Sequence, residues 1–114
     1  LAGDLVIKES ADIIRQSVRA FDVCARYGGE EFAIIMPGSA AEDAAKIAER
    51  IRTRIEAYRP PERTMKGLKV TVSIGLAMSR SATTASELIG QADQALYHAK
   101  HTGKNRVRAF DEAV

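Results

Sequence analysis

The sequence predicts an α+β domain, on three observations. Apolar spacing switches between helical and alternating periods, a Gly-Gly bend joins two adjacent strand-like runs, and the later strands are separated by helix-length segments. The resulting order, α-β-β-α-β-α-β with one hairpin and two helix crossovers, favours a sheet with helices packed on it. No internal repeat or low-complexity segment interrupts it.

From Leu5 to Phe21, the residues Leu5, Ile7, Ile13, Ile14, Val18 and Phe21 form an imperfect helical stripe, which predicts the first helix. Val23 to Tyr27 and Phe32 to Met36 are short runs rich in β formers. They are joined through Gly28-Gly29-Glu30-Glu31, where glycines supply the positive φ angles of a tight hairpin. Pro37-Gly38 ends the second strand. Ser39 and Glu42 have capping-box spacing ahead of Ala44, Ile47, Ala48, Ile51 and Ile55, a second helix ending near Tyr58. Pro60-Pro61 breaks that helix, and Glu62 to Lys66 with Gly67 forms a surface loop. Val70, Val72, Ile74 and Leu76 alternate with Thr71, Ser73 and Gly75, as a strand requires. After a polar connection from Ser79 to Thr84, Thr84 and Glu87 repeat the capping box before a helix with Leu88, Ala92, Leu96 and Ala99 on one face. Gly103 terminates that helix, Arg106 to Phe110 is a last strand, and Asp111 to Val114 a fraying tail.

With 46% hydrophobic residues, the 114-residue chain is one domain with enough apolar surface for a packed core. Its 17 Lys+Arg against 15 Asp+Glu leave a net charge of only +2, which argues against binding polymeric nucleic acid but leaves a single nucleotide as a ligand. The single cysteine, Cys24, excludes an internal disulfide and is expected as a small buried hydrophobe. No run approaches the ~18–20 apolar residues of a membrane span, so no membrane contact from this segment and a cytoplasmic location are expected, although a longer parent protein could be membrane-anchored elsewhere. The start Leu1-Ala2-Gly3-Asp4, without methionine, suggests a piece of something longer. His98 and His101 have no zinc-ligand pattern around them and are expected at the surface or helix end.

Several residues admit a structural and a chemical account. Gly28 and Gly29 could simply make a turn, or leave the backbone open to a ligand's phosphates. Glu30 and Glu31 could be solvated charge, or oxygen ligands for a hard divalent cation that also bridges substrate phosphates. Strand alternation gives the two glutamates different roles unless the turn is distorted. Lys100 and Lys104 flank the helix end, either complementing its dipole or holding a triphosphate tail. Asp4 could cap the first helix or accept the N1 and N2 hydrogens of a guanine. Arg19 and Asp22, where the first helix ends, could be an i,i+3 ion pair, and Arg50, Arg52 and Arg54 a solvated helix face.

Arg26-Tyr27-Gly28-Gly29-Glu30-Glu31-Phe32 resembles the signature of the GGDEF family, the diguanylate cyclases, in its Gly-Gly-Glu-Glu-Phe form. Gly3-Asp4, Arg19-x-x-Asp22, Val72-Ser73-Ile74-Gly75, and Ala92-Asp93 through Tyr97, Lys100 and Gly103-Lys104-Asn105 extend the resemblance over essentially the whole chain. It implies a central, mostly antiparallel sheet with flanking helices, of the nucleotide-cyclase and polymerase-palm type with a ferredoxin-like core. Residues 1–114 would be the C-terminal portion of the family domain. The opening strand with its metal-binding aspartate, and the following asparagine that reads guanine, either precede this sequence or are missing from the active site.

The implied activity is condensation of two GTP into cyclic di-GMP and two pyrophosphates across a homodimer, with Mg²⁺ as cofactor and Mn²⁺ as a possible substitute. By resemblance Glu30 is the metal ligand and Glu31 a second catalytic carboxylate. Asp4, Gly28, Gly29, Lys100 and Lys104 bind substrate, with the lysines on the β- and γ-phosphates. Arg is frequent in the family at the position of Lys104, which keeps the charge but not the bidentate fork. Arg19 and Asp22 form an inhibitory site for the product, with Arg50 as an auxiliary arginine. An upstream sensory or receiver domain is expected. The alternatives are a cyclic di-GMP receptor without turnover, against which the intact signature speaks, and a regulatory GTP-binding domain.

Overall fold

A computed structural model describes residues 2–59, 69–80 and 83–110. The elements are α1 (Ala2–Ser17), β1 (Val23–Gly28), β2 (Glu31–Ile35), α2 (Ala41–Ala57), β3 (Ile74–Leu76), α3 (Ala85–His101) and β4 (Val107–Ala109), in the predicted order. The expected Pro60-Pro61 break, the loop from Glu62 through Gly67 and the tail from Asp111 to Val114 lie outside the described residues.

The α+β class holds, but the described strands form two separate pairs rather than one continuous sheet. β1 and β2 pair antiparallel, while β3 and β4 pair parallel around the α3 crossover. Side chains connect the pairs. Ile14 of α1 and Ile47, Ile51 and Ile55 of α2 form the buried centre; Cys24, Phe32, Ile34 and Met36 pack on it from the hairpin side, and Val70, Val72 and Ile74 from the other. The predicted stripe therefore faces the core at Val70, Val72 and Ile74, although only Ile74–Leu76 is strand. That length matches the three-residue ladder available from β4.

Helix ends explain two further departures. α1 stops at Ser17 rather than Phe21 because other groups take its last carbonyls. Ser17 Oγ donates to Ile13 O at 2.6 Å, Arg50 Nη1 to Ser17 O at 3.1 Å, and Arg54 Nη1 to Gln16 O at 3.4 Å. Phe21 consequently leaves the apolar stripe and is 61% exposed. At the start of α2 the expected Ser39–Glu42 box is absent. The N-cap is Ala40, without a side-chain cap, because Ser39 is still in the Pro37-Gly38 turn, its amide donating to Met36 O at 3.4 Å. The Thr84–Glu87 box of α3 does form: the Glu87 amide donates to Thr84 Oγ1 at 3.1 Å and the Thr84 amide to Glu87 Oε1 at 3.4 Å.

α3 lies unusually close to β3. Ala95 and Ala99 are fully buried, and a Cβ on Gly75 would come within 2.8 Å of Leu96 Cβ and closer still to the Ala92 carbonyl oxygen and the Leu96 amide. Helix backbone cannot yield as a flexible side chain can. Gly75→Ala should therefore destabilise the domain by about 1–3 kcal/mol, the usual cost of overpacking. Thermal unfolding checks this, and an unchanged midpoint would show that α3 can move away from the sheet.

Candidate functional site

The hairpin bend is shorter than expected and comprises Gly29 and Glu30: Gly29 has the expected positive φ, at +33°, whereas Gly28 is the last residue of β1 and does not, because it pairs with Glu31. Arg26 pairs with Phe32 and Gly28 with Glu31, so Tyr27 has no opposite residue and forms a bulge. Arg26 Nε donates to Gly29 O at 2.7 Å, tying the strand's side chain back over the bend. This hold was not read from the sequence; the position of an arginine three residues before the bend was the available signal. Glu30 stands at the exposed apex, and Glu31 is the exposed first residue of β2. Neither carboxylate has a side-chain partner among the described residues, and no group of three or more His, Cys, Asp or Glu side chains there could hold a metal ion. Such a pair fits a hard divalent cation that takes one or two carboxylates and completes its shell with water and phosphate oxygens.

Between α1 and the hairpin lies an open cleft of about 350 Å³, lined among others by Asp4, Lys8, Asp12 and Arg15 of α1 and by Cys24 and Arg26 of β1. Its size is within the range of small-molecule sites. Asp4 is inside the first turn of α1 and so is not its N-cap, contrary to the capping account. Lys8, Asp12 and Arg15 follow it at helical spacing, a signal present in the sequence but not used.

Arg19 and Asp22 do not sit on the helix. They close a turn beyond it, where the Asp22 amide donates to Arg19 O at 3.0 Å. Asp22 accepts from the Arg19 amide at 2.8 Å, from Nη2 at 2.8 Å and from Nε at 3.1 Å. These bonds hold the Asp22 carboxyl below the usual carboxylate range and raise the Arg19 guanidinium. The Asp22 side chain is 0% exposed and that of Arg19 32%, so an incoming ligand would meet the arginine. The guanidinium carbon also lies 4.5 Å from the Phe21 ring centroid. The i,i+3 ion pair is thus present, and it borders a second cleft of about 310 Å³. Arg15 and Cys24 line both clefts, and burial pushes the Cys24 thiol up. The three α2 arginines are not one solvated face: Arg50 and Arg54 reach the end of α1, whereas Arg52 points to Glu49, Glu56 and Asn105.

Lys100 is exposed on the last turn of α3. Beyond the cap residue Thr102, Gly103 has φ +125°, and the Lys104 amide donates back to Ala99 O at 3.0 Å. Lys104 itself is left-handed, with φ +60°, and exposed. Neither lysine's side chain has a partner among the described residues. No hydrogen bond or ion pair joins them to Glu30 or Glu31. His98 and His101 are at the helix end as expected, with the His101 ring stacked on Tyr97 at 3.9 Å and its Nδ1 donating to Tyr97 O at 2.8 Å. No helix among the described residues is long and apolar enough to cross a membrane.

The family described as "Diguanylate cyclase, GGDEF domain" matches residues 1–106. Diguanylate cyclase A of Treponema denticola is 40% identical over 111 residues, which cover 93% of this chain and 29% of that protein. Among solved structures, the GGDEF domain of DgcB from Caulobacter crescentus in complex with c-di-GMP superposes with a TM-score of 0.89 at 36% identity, covering 96% of this chain and 65% of that one. The active GGEEF domain of a diguanylate cyclase from Vibrio cholerae gives a TM-score of 0.85 at 28% identity, covering 95% and 68% of the two chains. The chain spans less than a third of the length of the curated relatives it matches. A signature bend of the expected sequence on a fold shared nearly end to end places the chain in the diguanylate cyclase GGDEF-domain family.

Proposed function

We propose that the protein containing this chain condenses two GTP molecules into cyclic di-GMP with release of two pyrophosphates. The observation that carries this reading is the bend itself: backbone without side chains at Gly28 and Gly29, followed by an exposed, unpaired glutamate at the apex. The names of the relatives and the c-di-GMP complex of a similar domain support it.

Each domain would hold one GTP, so catalysis needs two copies face to face in a homodimer. Asp4 accepts the guanine N1 and N2 hydrogens in the cleft between α1 and the hairpin. The phosphates lie against the Gly28-Gly29 backbone, and Lys100 and Lys104 take the β- and γ-phosphates. Glu30 is the metal ligand, with Glu31 a second carboxylate at the site. When bound, Mg²⁺, or Mn²⁺ in its place, neutralises triphosphate charge and makes the attacking hydroxyl more acidic. The 3′-oxygen of one nucleotide forms a bond to the α-phosphorus of the other as the bond to pyrophosphate breaks, and the hydroxyl proton passes to solvent or to a carboxylate at the bend. Arg19, positioned by Asp22 and with Arg50 nearby across Ser17, reads the O6 and N7 acceptors of a guanine of the product and makes the enzyme product-inhibited. An upstream sensory or receiver domain would bring the two copies together.

The full-length protein incubated with GTP and Mg²⁺ should accumulate cyclic di-GMP. Glu30→Gln, nearly isosteric but uncharged, should lower that rate at least about 100-fold, the upper end of what loss of a supporting contact around a metal costs. Product binding without turnover would instead identify a receptor. Arg19→Ala should raise the cyclic di-GMP concentration for half-inhibition by about tenfold or more, as loss of a bidentate arginine–guanine contact does; unchanged inhibition would remove Arg19 from that role. Lys100→Ala should raise the KM for GTP roughly tenfold and leave the Mg²⁺ requirement in place, the effect of losing one charged hydrogen bond. A wild-type GTP response would leave Lys100 as a partner of the helix dipole alone.

A further inference from the structure

The turn after α3 contains three successive residues with positive φ: Gly103 at +125°, Lys104 at +60° and Asn105 at +47°. Glycine adopts this region freely and asparagine tolerates it, but for lysine it is an uncommon conformation that its surroundings must enforce. Those surroundings are polar: the Lys104 N–H donates to Ala99 O at 3.0 Å and Arg106 Nε donates to Lys104 O at 3.1 Å, and the next residue is held from α2 and from the segment before β3. Arg52 Nη1 donates to Asn105 Oδ1 at 2.9 Å, and Asn105 Nδ2 donates to Glu56 Oε2 at 2.6 Å, so both ends of the amide are engaged by α2. The Asn105 backbone N–H donates to Ser73 Oγ at 3.2 Å, just before β3. Arg52 is itself fixed by Glu49, at 2.7 Å from both Nε and Nη2, and by Glu56 at 3.4 Å. The Asn105 hydrogen bond, ahead of the Arg52 charge, holds the Glu56 carboxyl below its usual range.

We infer that Asn105 is a positioning residue: by clamping the left-handed turn to Arg52 and Glu56 of α2, it fixes the backbone of Lys104 so that the lysine ammonium is preorganised for the β- and γ-phosphates of a nucleoside triphosphate. The assignment rests on the cyclase reading for the identity of the ligand, and its chemistry is narrower: it concerns the triphosphate tail and not the base. A flexible ammonium held on a fixed backbone loses less freedom on binding than one on a mobile turn. Asparagine suits the position because it combines tolerance of positive φ with an amide that donates and accepts at once.

The test uses the full-length protein with Mg²⁺ and measures binding of a nonhydrolysable GTP analogue and of GMP by calorimetry. Asn105→Gly keeps the left-handed backbone but removes the amide, and Arg52→Lys keeps the charge but cannot reproduce the fork. Both should weaken the analogue about tenfold while leaving GMP unchanged, and in a Lys104→Gln background Asn105→Gly should add nothing further. The proposal is overturned by wild-type analogue binding of Asn105→Gly, by parallel weakening of analogue and GMP, or by a full Asn105→Gly effect after the Lys104 charge is gone. Asn105→Ala, which must strain to keep positive φ, should lose at least as much as Asn105→Gly; an Ala variant binding the analogue normally would likewise overturn it. Turnover is read separately. Triphosphate-selective loss in a protein that makes no cyclic di-GMP overturns the cyclase reading alone, unselective loss in one that does overturns the clamp alone, and a wild-type protein that binds the analogue no better than GMP overturns both.

Discussion

The apolar face of α2 makes one domain out of two strand pairs that share no hydrogen bond among the described residues. Ile47, Ile51 and Ile55 recur at helical spacing and are nearly inaccessible, and the cluster they form receives side chains from the hairpin on one side and from the β3 segment on the other. Burial of branched aliphatic side chains of this kind stabilises by about 1.5–3 kcal/mol each relative to exposure. No exposed ion pair approaches that. The position of the bend relative to the α3 turn therefore depends on packing at α2, and the polar contacts refine what packing has already placed.

That refinement divides the charged residues into two groups. Arg19 with Asp22, and Arg52 with Glu49 and Glu56, engage one another and are shifted toward their charged forms, with the Asn105 hydrogen bond the largest cause at Glu56. Arg50 and Arg54 complement the carbonyl end of α1, where a cation is favoured by the helix dipole. Glu30, Glu31, Lys100 and Lys104 belong to the other group: they are exposed and have no side-chain partner among the described residues. Engaged charges fix elements in place, while unengaged charges at a bend and at a helix end are the ones with donors and acceptors to offer a ligand.

Most of the fold was legible because its signals are local. The glycine bend, the Thr84–Glu87 box and the glycine stop after α3 each depend on a few neighbouring residues, and each is found where its sequence indicates. The misread boundaries depend on competing turns beside them or on partners distant in sequence. At the end of α1 the nearby turn takes the Arg19 amide onto Asp22, and Arg50 and Arg54, more than thirty residues on, hold Ser17 from α2. Ser39 and Glu42 have the spacing of a cap, but a preceding Pro37-Gly38 turn moves the helix start by one residue, and a capping pattern displaced by one has no function. Val70 and Val72 alternate as a strand would and do reach the core, yet a ladder needs a neighbour, and β4 supplies one for three residues only.

The same distinction applies to the site. Residue types that announce their chemistry, such as adjacent glutamates after two glycines or a lysine beside a helix-ending glycine, could be picked out singly. Asn105 could not, because beside Gly103-Lys104 it reads as one more turn residue. What distinguishes it is a conformation and a pair of partners roughly fifty residues away on another helix: the amide oxygen facing an arginine and the amide nitrogen facing a glutamate. An aspartate at 105 would face Arg52 equally well and repel Glu56, and a lysine would do the reverse. Only a side chain carrying both a donor and an acceptor satisfies both partners at a left-handed position, so this requirement on residue 105 comes from α2 rather than from the turn in which it sits.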